Sequence, residues 1–199
     1  MCYIDLMASE PLHRISVEEY LAVERRSETK SEYLNGEIFS MAGASRSHNR
    51  IVLNLGISLD GQLKNRGCEI FVNDMRVSVP AADLITYPDV VVSCGNPQFA
   101  DEGADTLLNP TLIIEVLSSS TESYDRGGKF AYYRTLPSLA EYLLLAQDRV
   151  YAEHFVKQPN GGWLLTEANG FADVLDLPSV GCTLAMREVY DRVLLPDSQ

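Results

Sequence analysis

Asp89, Glu115 and Lys129 are the residues whose types and surroundings point to chemistry. Asp89 follows Tyr87-Pro88 and opens the apolar run Val90 to Val92, while Glu115 stands inside Leu112-Ile113-Ile114-Glu115-Val116-Leu117. Lys129 closes Asp125-Arg126-Gly127-Gly128-Lys129. Both apolar runs are rich in β-branched residues and bounded by Pro, Gly or Asn, which predicts buried strands. An unpaired carboxylate in such a strand is costly to desolvate. Two of them on neighbouring strands, with a lysine close behind, predict a metal site in which a divalent cation is the neutralising partner.

Further candidates surround these three. Asp125, Lys129 and Tyr133 fall on one face of a helix predicted over about 124–135, at i, i+4 and i+8. An exposed Asp125–Lys129 pair alone would be worth only ~0.3–0.5 kcal/mol. The helix must pack over the end of the Glu115 strand, however, which brings Lys129 toward it. Upstream, Asn35-Gly36 predicts a tight hairpin, because both central residues of a type I′ turn need positive φ. Leu34 then pairs with Glu37 and Glu32 with Phe39, placing Glu32 and Glu37 on one face. Those acids are either a second set of metal ligands or a solvated edge. His48 heads the buried stripe Val52, Leu55, Leu59, Leu63 of a helix predicted over 45–66. It reads as a proton donor or phosphate contact at a helix N-terminus, or as a core histidine bonded to backbone.

These residues need a scaffold, and the rest of the chain supplies its parts. Ser16-Val17-Glu18-Glu19 is a capping box that starts a short packing helix. A long strand is expected over 68–79, with Asp74 and Arg76 forming a solvated or mutually paired face. A polar loop over 95–108 precedes the Glu115 strand. A strand over 141–146 and a hairpin of 151–155 with 163–167 follow, then short strands from 174 to 195. The predicted class is α/β with a mixed sheet, in a single domain with its core over about 31–147 and a β-rich tail over about 148–195. In that tail Phe155 and Trp163 mark an interface or a second small core.

Composition narrows the function. At 199 residues the chain can bury a sizeable core, and 46% hydrophobic content is that of an ordinary globular protein. No apolar run nears the ~20 residues of a membrane-spanning helix, and the first residues lack the features of a signal peptide. A net charge of −12 argues against tight non-specific binding of a polyanion. Any nucleic-acid role must rest on a local basic patch and a metal. Cys2, Cys68, Cys94 and Cys182 form no CxxC pair, and are read as reduced thiols of a cytoplasmic protein.

Taken together, Tyr33-Leu34-Asn35-Gly36-Glu37-Ile38, Met41-Ala42-Gly43 with His48, Pro88-Asp89-Val90-Val91-Val92, Ile114-Glu115-Val116-Leu117-Ser118, Asp125 to Lys129 with Tyr133, and Pro137 to Leu145 resemble the Uma family of restriction-endonuclease-like proteins, within the PD-(D/E)XK nuclease superfamily. The resemblance covers nearly the whole chain. It implies a restriction-endonuclease-like core with a central mixed β-sheet flanked by helices. It also implies Mg²⁺- or Mn²⁺-dependent cleavage of DNA, with Asp89, Glu115 and the carbonyl of Val116 as metal ligands and with 5′-phosphate products. Glu37, or else Glu32, would hold a second metal, Asp125 would orient Lys129, and Tyr133 would support the site or simply pack. A homodimer is expected of a small nuclease that addresses two strands. One departure matters. The superfamily's lysine stands two residues after the second acid, and that position here is Leu117. The resemblance assigns its role to Lys129, displaced to the following helix. The alternative is a non-cleaving member acting as a DNA-binding or assembly module.

Overall fold

The computed structural model describes residues 14–196. Cys2 and the leader-free reading of the first residues lie outside that range. Helix α1 (Val17–Glu24) starts at the expected capping box, in which Ser16 and Glu19 exchange side-chain-to-backbone bonds of 2.8 and 3.2 Å. Strands β1 (Ser31–Leu34) and β2 (Glu37–Ser40) form the predicted hairpin. Asn35 and Gly36 both take positive φ, and Leu34 pairs with Glu37, Glu32 with Phe39. Ser45 caps α2 (Arg46–Leu63), whose stripe Ile51, Val52, Leu55, Leu59 and Leu63 is buried.

The expected long strand over 68–79 is two. β3 (Cys68–Val72) ends at Asn73, which turns the chain through φ 66°, and β4 (Arg76–Val79) enters a different sheet. β5 (Leu84–Thr86), β6 (Val90–Cys94), β7 (Thr106–Leu107) and β8 (Leu112–Leu117) follow. A continuous helical segment comes next: α3 (Glu122–Tyr124), a π-helical turn (Asp125–Lys129) and α4 (Phe130–Tyr133). β9 (Glu141–Ala146), β10 (Ala152–Lys157), β11 (Trp163–Ala168), β12 (Val174–Leu177), β13 (Cys182–Ala185) and α5 (Met186–Val189) complete the chain.

The class is α/β, with mixed sheets flanked by helices and a β-rich C-terminal region. The central sheet divides in two. A six-stranded sheet runs β11-β10-β9-β8-β6-β3 and a five-stranded sheet runs β2-β1-β5-β4-β7, with β12–β13 a separate ribbon. Each large sheet contains one parallel pair, β8 with β9 and β4 with β7. Along β8 the side chains alternate between two cores. Leu112, Ile114 and Val116 face α2 and the C-terminal strands, whereas Ile113 and Leu117 face Val77, Val79, Leu84, Phe130 and Tyr133. The second face therefore lies between the sheets, where a polar group is deprived of water.

Three sequence expectations are corrected here. Cys68 and Cys94 are directly opposite in the β3–β6 register, with Cα atoms 4.0 Å apart, and are joined by a disulfide. Sequence spacing hides this pairing because it arises from strand register alone. Arg76 is no surface residue either. It is buried, donates to Tyr87 Oη at 2.9 Å and Thr106 Oγ1 at 3.1 Å, and forms an ion pair with Asp105, while Asp74 pairs outward with Lys30 at 2.7 Å. In the C-terminal region, Phe155 and Trp163 form no separate core. Their rings pack on Phe130 at 4.5 and 5.3 Å and close the core between the sheets. Among the described residues no helix is long and apolar enough to cross a membrane.

Candidate functional site

The pairing of β6 with β8 matches Val90 with Ile114, which sets the preceding Asp89 beside Glu115. Glu115 stands on the face between the sheets with Ile113, while Asp89, one residue before β6, turns its carboxylate to the Val116 N–H and to His48 of α2. Asp89 Oδ2 accepts the backbone N–H of Val116 at 2.7 Å, and the Asp89 N–H reaches Glu115 Oε2 at 3.4 Å. His48, in the first turn of α2, places Nε2 3.2 Å from the Asp89 carboxylate. His48 is thus bonded to an acid and not to backbone, and its Nδ1 is buried without a hydrogen-bond partner.

Lys129 enters from the π-helical turn and is 6% exposed. Its Nζ lies 2.9 Å from Glu32, 3.4 Å from Glu115 and 3.6 Å from Asp125. The widened turn brings it there over Tyr124, whose ring centre is 5.9 Å away. Glycine at 128 is required for that arrangement, because a Cβ there would meet the Tyr124 ring at 2.8 Å. π-turns within helices recur where a side chain must be re-aimed for function. Tyr133, wholly buried, donates to Glu115 Oε1 at 2.9 Å and therefore does more than pack.

Two acids of the N-terminal hairpin separate. Glu32 is in the cluster, bonded to Lys129 and to the buried Thr86 hydroxyl. Glu37, ranked ahead of it as a second ligand, is exposed on edge strand β2. The hairpin register puts both on one face, but only β1 has a second neighbour, β5, which buries Glu32. Position within the sheet, not facing, decides between them. Thr86 and Tyr124 were not singled out from sequence. No local pattern marks Thr86, since it meets Glu32 through tertiary pairing alone, whereas Tyr124 one residue before Asp125 was visible as an aromatic in the same helical segment.

The electrostatics follow from burial. Desolvation pushes the Glu115 carboxyl up to about 8; Lys129 opposes this, and Asp125, Asp89 and Glu32 add to it. Burial also raises Asp125, against the pull of Lys129. Burial by itself would lower Lys129, but Glu115, Glu32 and Asp125 hold its ammonium well above the ordinary value. Glu115, Glu32 and Asp125 thus crowd about a single lysine, with Asp89 next to Glu115, and Asp125 Oδ1 lacks a hydrogen-bond partner. That excess of hard oxygen donors suits a Mg²⁺- or Mn²⁺-sized cation, which takes one or two carboxylates and keeps several waters. Among the described residues no three His, Cys, Asp or Glu side chains converge as a ready ligand set.

Comparison with known proteins supplies the family. A solved structure from Anabaena variabilis ATCC 29413, described as "a putative nuclease belonging to DUF820", superposes with a TM-score of 0.74, covering 90% of this chain and 99% of that one at 19% identity, and so shares the fold. The "Uncharacterized protein sll1609" of Synechocystis sp. (strain ATCC 27184 / PCC 6803 / Kazusa) is 43% identical over 156 residues, 78% of this chain and 88% of its own length. The "Uncharacterized protein slr1290" of the same organism is 36% identical over 182 residues, 92% and 94% of the two chains. The profile of the Uma2 family, described as "Putative restriction endonuclease", matches residues 17–187, and this chain belongs to that family.

Proposed function

We propose that this chain is an endonuclease that hydrolyses phosphodiester bonds of DNA with Mg²⁺ or Mn²⁺. The observation that best supports the reading is Lys129 Nζ at 3.4 Å from Glu115, whose Oε2 faces the backbone N–H of Asp89. Asp89, Glu115 and the Val116 carbonyl would hold the ion. Once bound, such an ion polarises the scissile phosphate and lowers the pKa of water. The chain's own groups do the rest. Tyr133 and Lys129 occupy Glu115 Oε1, which leaves Oε2 turned toward Asp89. His48 and the Val116 N–H fix the Asp89 carboxylate. The Lys129 ammonium orients water or stabilises charge that develops on the phosphate oxygens. Glu32 and Asp125 hold that ammonium in place from two sides.

The test is nicking of supercoiled plasmid in Mn²⁺. Asp89→Ala, Glu115→Ala and Lys129→Ala should each lose at least about a hundredfold in rate, the usual loss when one preorganised charge-stabilising group is removed. Circular dichroism checks the fold of each variant. Wild-type cleavage by Asp89→Ala or Glu115→Ala overturns the assignment. A second reading is a non-cleaving module that binds DNA or an assembly partner. It is favoured by Leu117 at the superfamily's lysine position and by the absence of three converging ligands among the described residues. Calorimetric titration with Mn²⁺ separates the two, since no heat from either the wild type or Asp89→Asn supports the second.

A further inference from the structure

Beside the acidic cluster lies a cavity of about 290 Å³, at the C-terminal ends of β8 and β9. These strands are parallel, and the crevice beyond the carboxyl ends of parallel strands is where α/β sheets take ligands. Leu117 lines it, two residues beyond Glu115 and on the same face of β8. That step along an extended strand is about 7 Å. Ser45 lines it from the other side, capping the helix whose first turn carries His48. The cavity is therefore the next compartment along from the candidate site.

Its size and lining select the occupant. The volume is near the lower end of the roughly 300–1,000 Å³ of small-ligand sites, which suits one nucleoside and not a duplex. Leu117, Ala146 and Leu194 give it apolar walls. Ser118 and Gln147 give it neutral hydrogen-bonding groups, and the Gln147 oxygen accepts from Ser45 Oγ, which leaves the amide NH₂ as a donor to a ligand. The charged residues at its rim are Glu122 and Asp148 against Arg149. A phosphate finds no net attraction there, whereas a flat, uncharged ring with polar edges matches both walls and donors.

We infer that this cavity receives a nucleobase of the substrate strand next to the scissile phosphate, either already unpaired or drawn out of the stack. The inference rests on the nuclease reading and refines its substrate to single-stranded DNA or duplex from which a base is extruded. It also gives Leu117 a purpose. A lysine at that position would put an ammonium at the wall of the compartment, whereas Lys129 holds its ammonium against Glu32, Glu115 and Asp125.

The experiment is fluorescence anisotropy of a labelled single-stranded oligodeoxynucleotide on the full chain, with Ca²⁺ in place of Mg²⁺ and each position made abasic in turn. One position should stand out, its abasic form binding about fivefold more weakly, in line with the loss of one hydrogen-bonded base contact. Gln147→Leu should flatten that profile while its Mn²⁺ titration matches wild type. A flat wild-type profile with Mn²⁺-dependent cleavage intact overturns the cavity assignment and spares the nuclease reading. A sensitive position in a wild type that cuts nothing does the reverse. Failure to bind any oligonucleotide overturns both.

Discussion

Glu115→Gln is the substitution that tests the physical account of the site most directly. The carboxyl is buried, and its pKa rises from 4.5 in the unfolded chain to about 8 in the fold. Between those values the unfolded chain has lost the proton that the folded chain still binds, so stability falls as pH rises. Each pH unit of that window costs about 1.4 kcal/mol. From pH 4.5 to 7 the accumulated loss is on the order of 3 kcal/mol, an upper figure because Lys129 shares the titration. Glutamine keeps the shape, can still accept from Tyr133, and does not titrate. Glu115→Gln should therefore match the wild type near pH 4.5 and exceed it by roughly 2–3 kcal/mol at pH 7 without metal.

Urea denaturation followed by circular dichroism, at half-unit steps from pH 4.5 to 8, measures both curves. Every other titrating group appears in both proteins, so their difference reports this carboxyl together with the neighbours coupled to it. The difference should widen steadily up to about pH 8 and then level off. A constant difference, or a variant less stable than wild type at pH 7, would refute the claim that desolvation dominates this carboxyl. The same variant should lose the stabilisation that Mn²⁺ gives the wild type, because a ligand that binds only the folded state raises its stability by mass action.

Mn²⁺ binding to the wild type should release close to one proton at pH 7, and its affinity should rise up to about tenfold per pH unit until pH 8; calorimetry in buffers of different ionisation enthalpy reads the proton count. Lys129→Met removes the cation that Glu32, Glu115 and Asp125 share, so it should cost about 3–5 kcal/mol at pH 7; a loss well under ~1 kcal/mol in urea melts counts against the charge cluster. The Cys68–Cys94 bridge closes 26 residues, so reduction should lower stability by roughly 3 kcal/mol if chain entropy governs it; urea melts with and without reductant, alongside thiol counting, measure this. Gly128→Ala should lower both stability and Mn²⁺-dependent cleavage, since its methyl meets the Tyr124 ring; plasmid nicking and thermal melts read the two effects.

What the sequence shows and what it hides divide along the range of the interactions. Asn35-Gly36, the Ser16 and Ser45 caps, the α2 stripe and the apolar strands around Asp89 and Glu115 are set by neighbours a few residues apart, and all are legible in one dimension. So is the proximity of Asp89 and Glu115 once the strands are taken as neighbours. Three features escaped because they depend on where a strand falls within a sheet. Glu32 and Glu37 have the same facing and opposite burial, decided by β5 lying beside β1. Arg76 reads as a surface charge until the break at Asn73 sends β4 into the sheet that holds Tyr87 and Thr106 nearby. Cys68 and Cys94 become partners only through the β3–β6 register. The displaced lysine belongs to both groups. Its distance in sequence from Glu115 was visible, but its aim depends on a π-helical turn that brings Lys129 against Glu32, Glu115 and Asp125 together. The side chain at position 117 packs in the core between the sheets with Phe130 and Tyr133, away from Glu32 and Asp125. Lys129 on the helix ties β1, β8 and the helical segment into one charge cluster, so a substitution that displaces any one of the three exposes or unpairs the same ammonium.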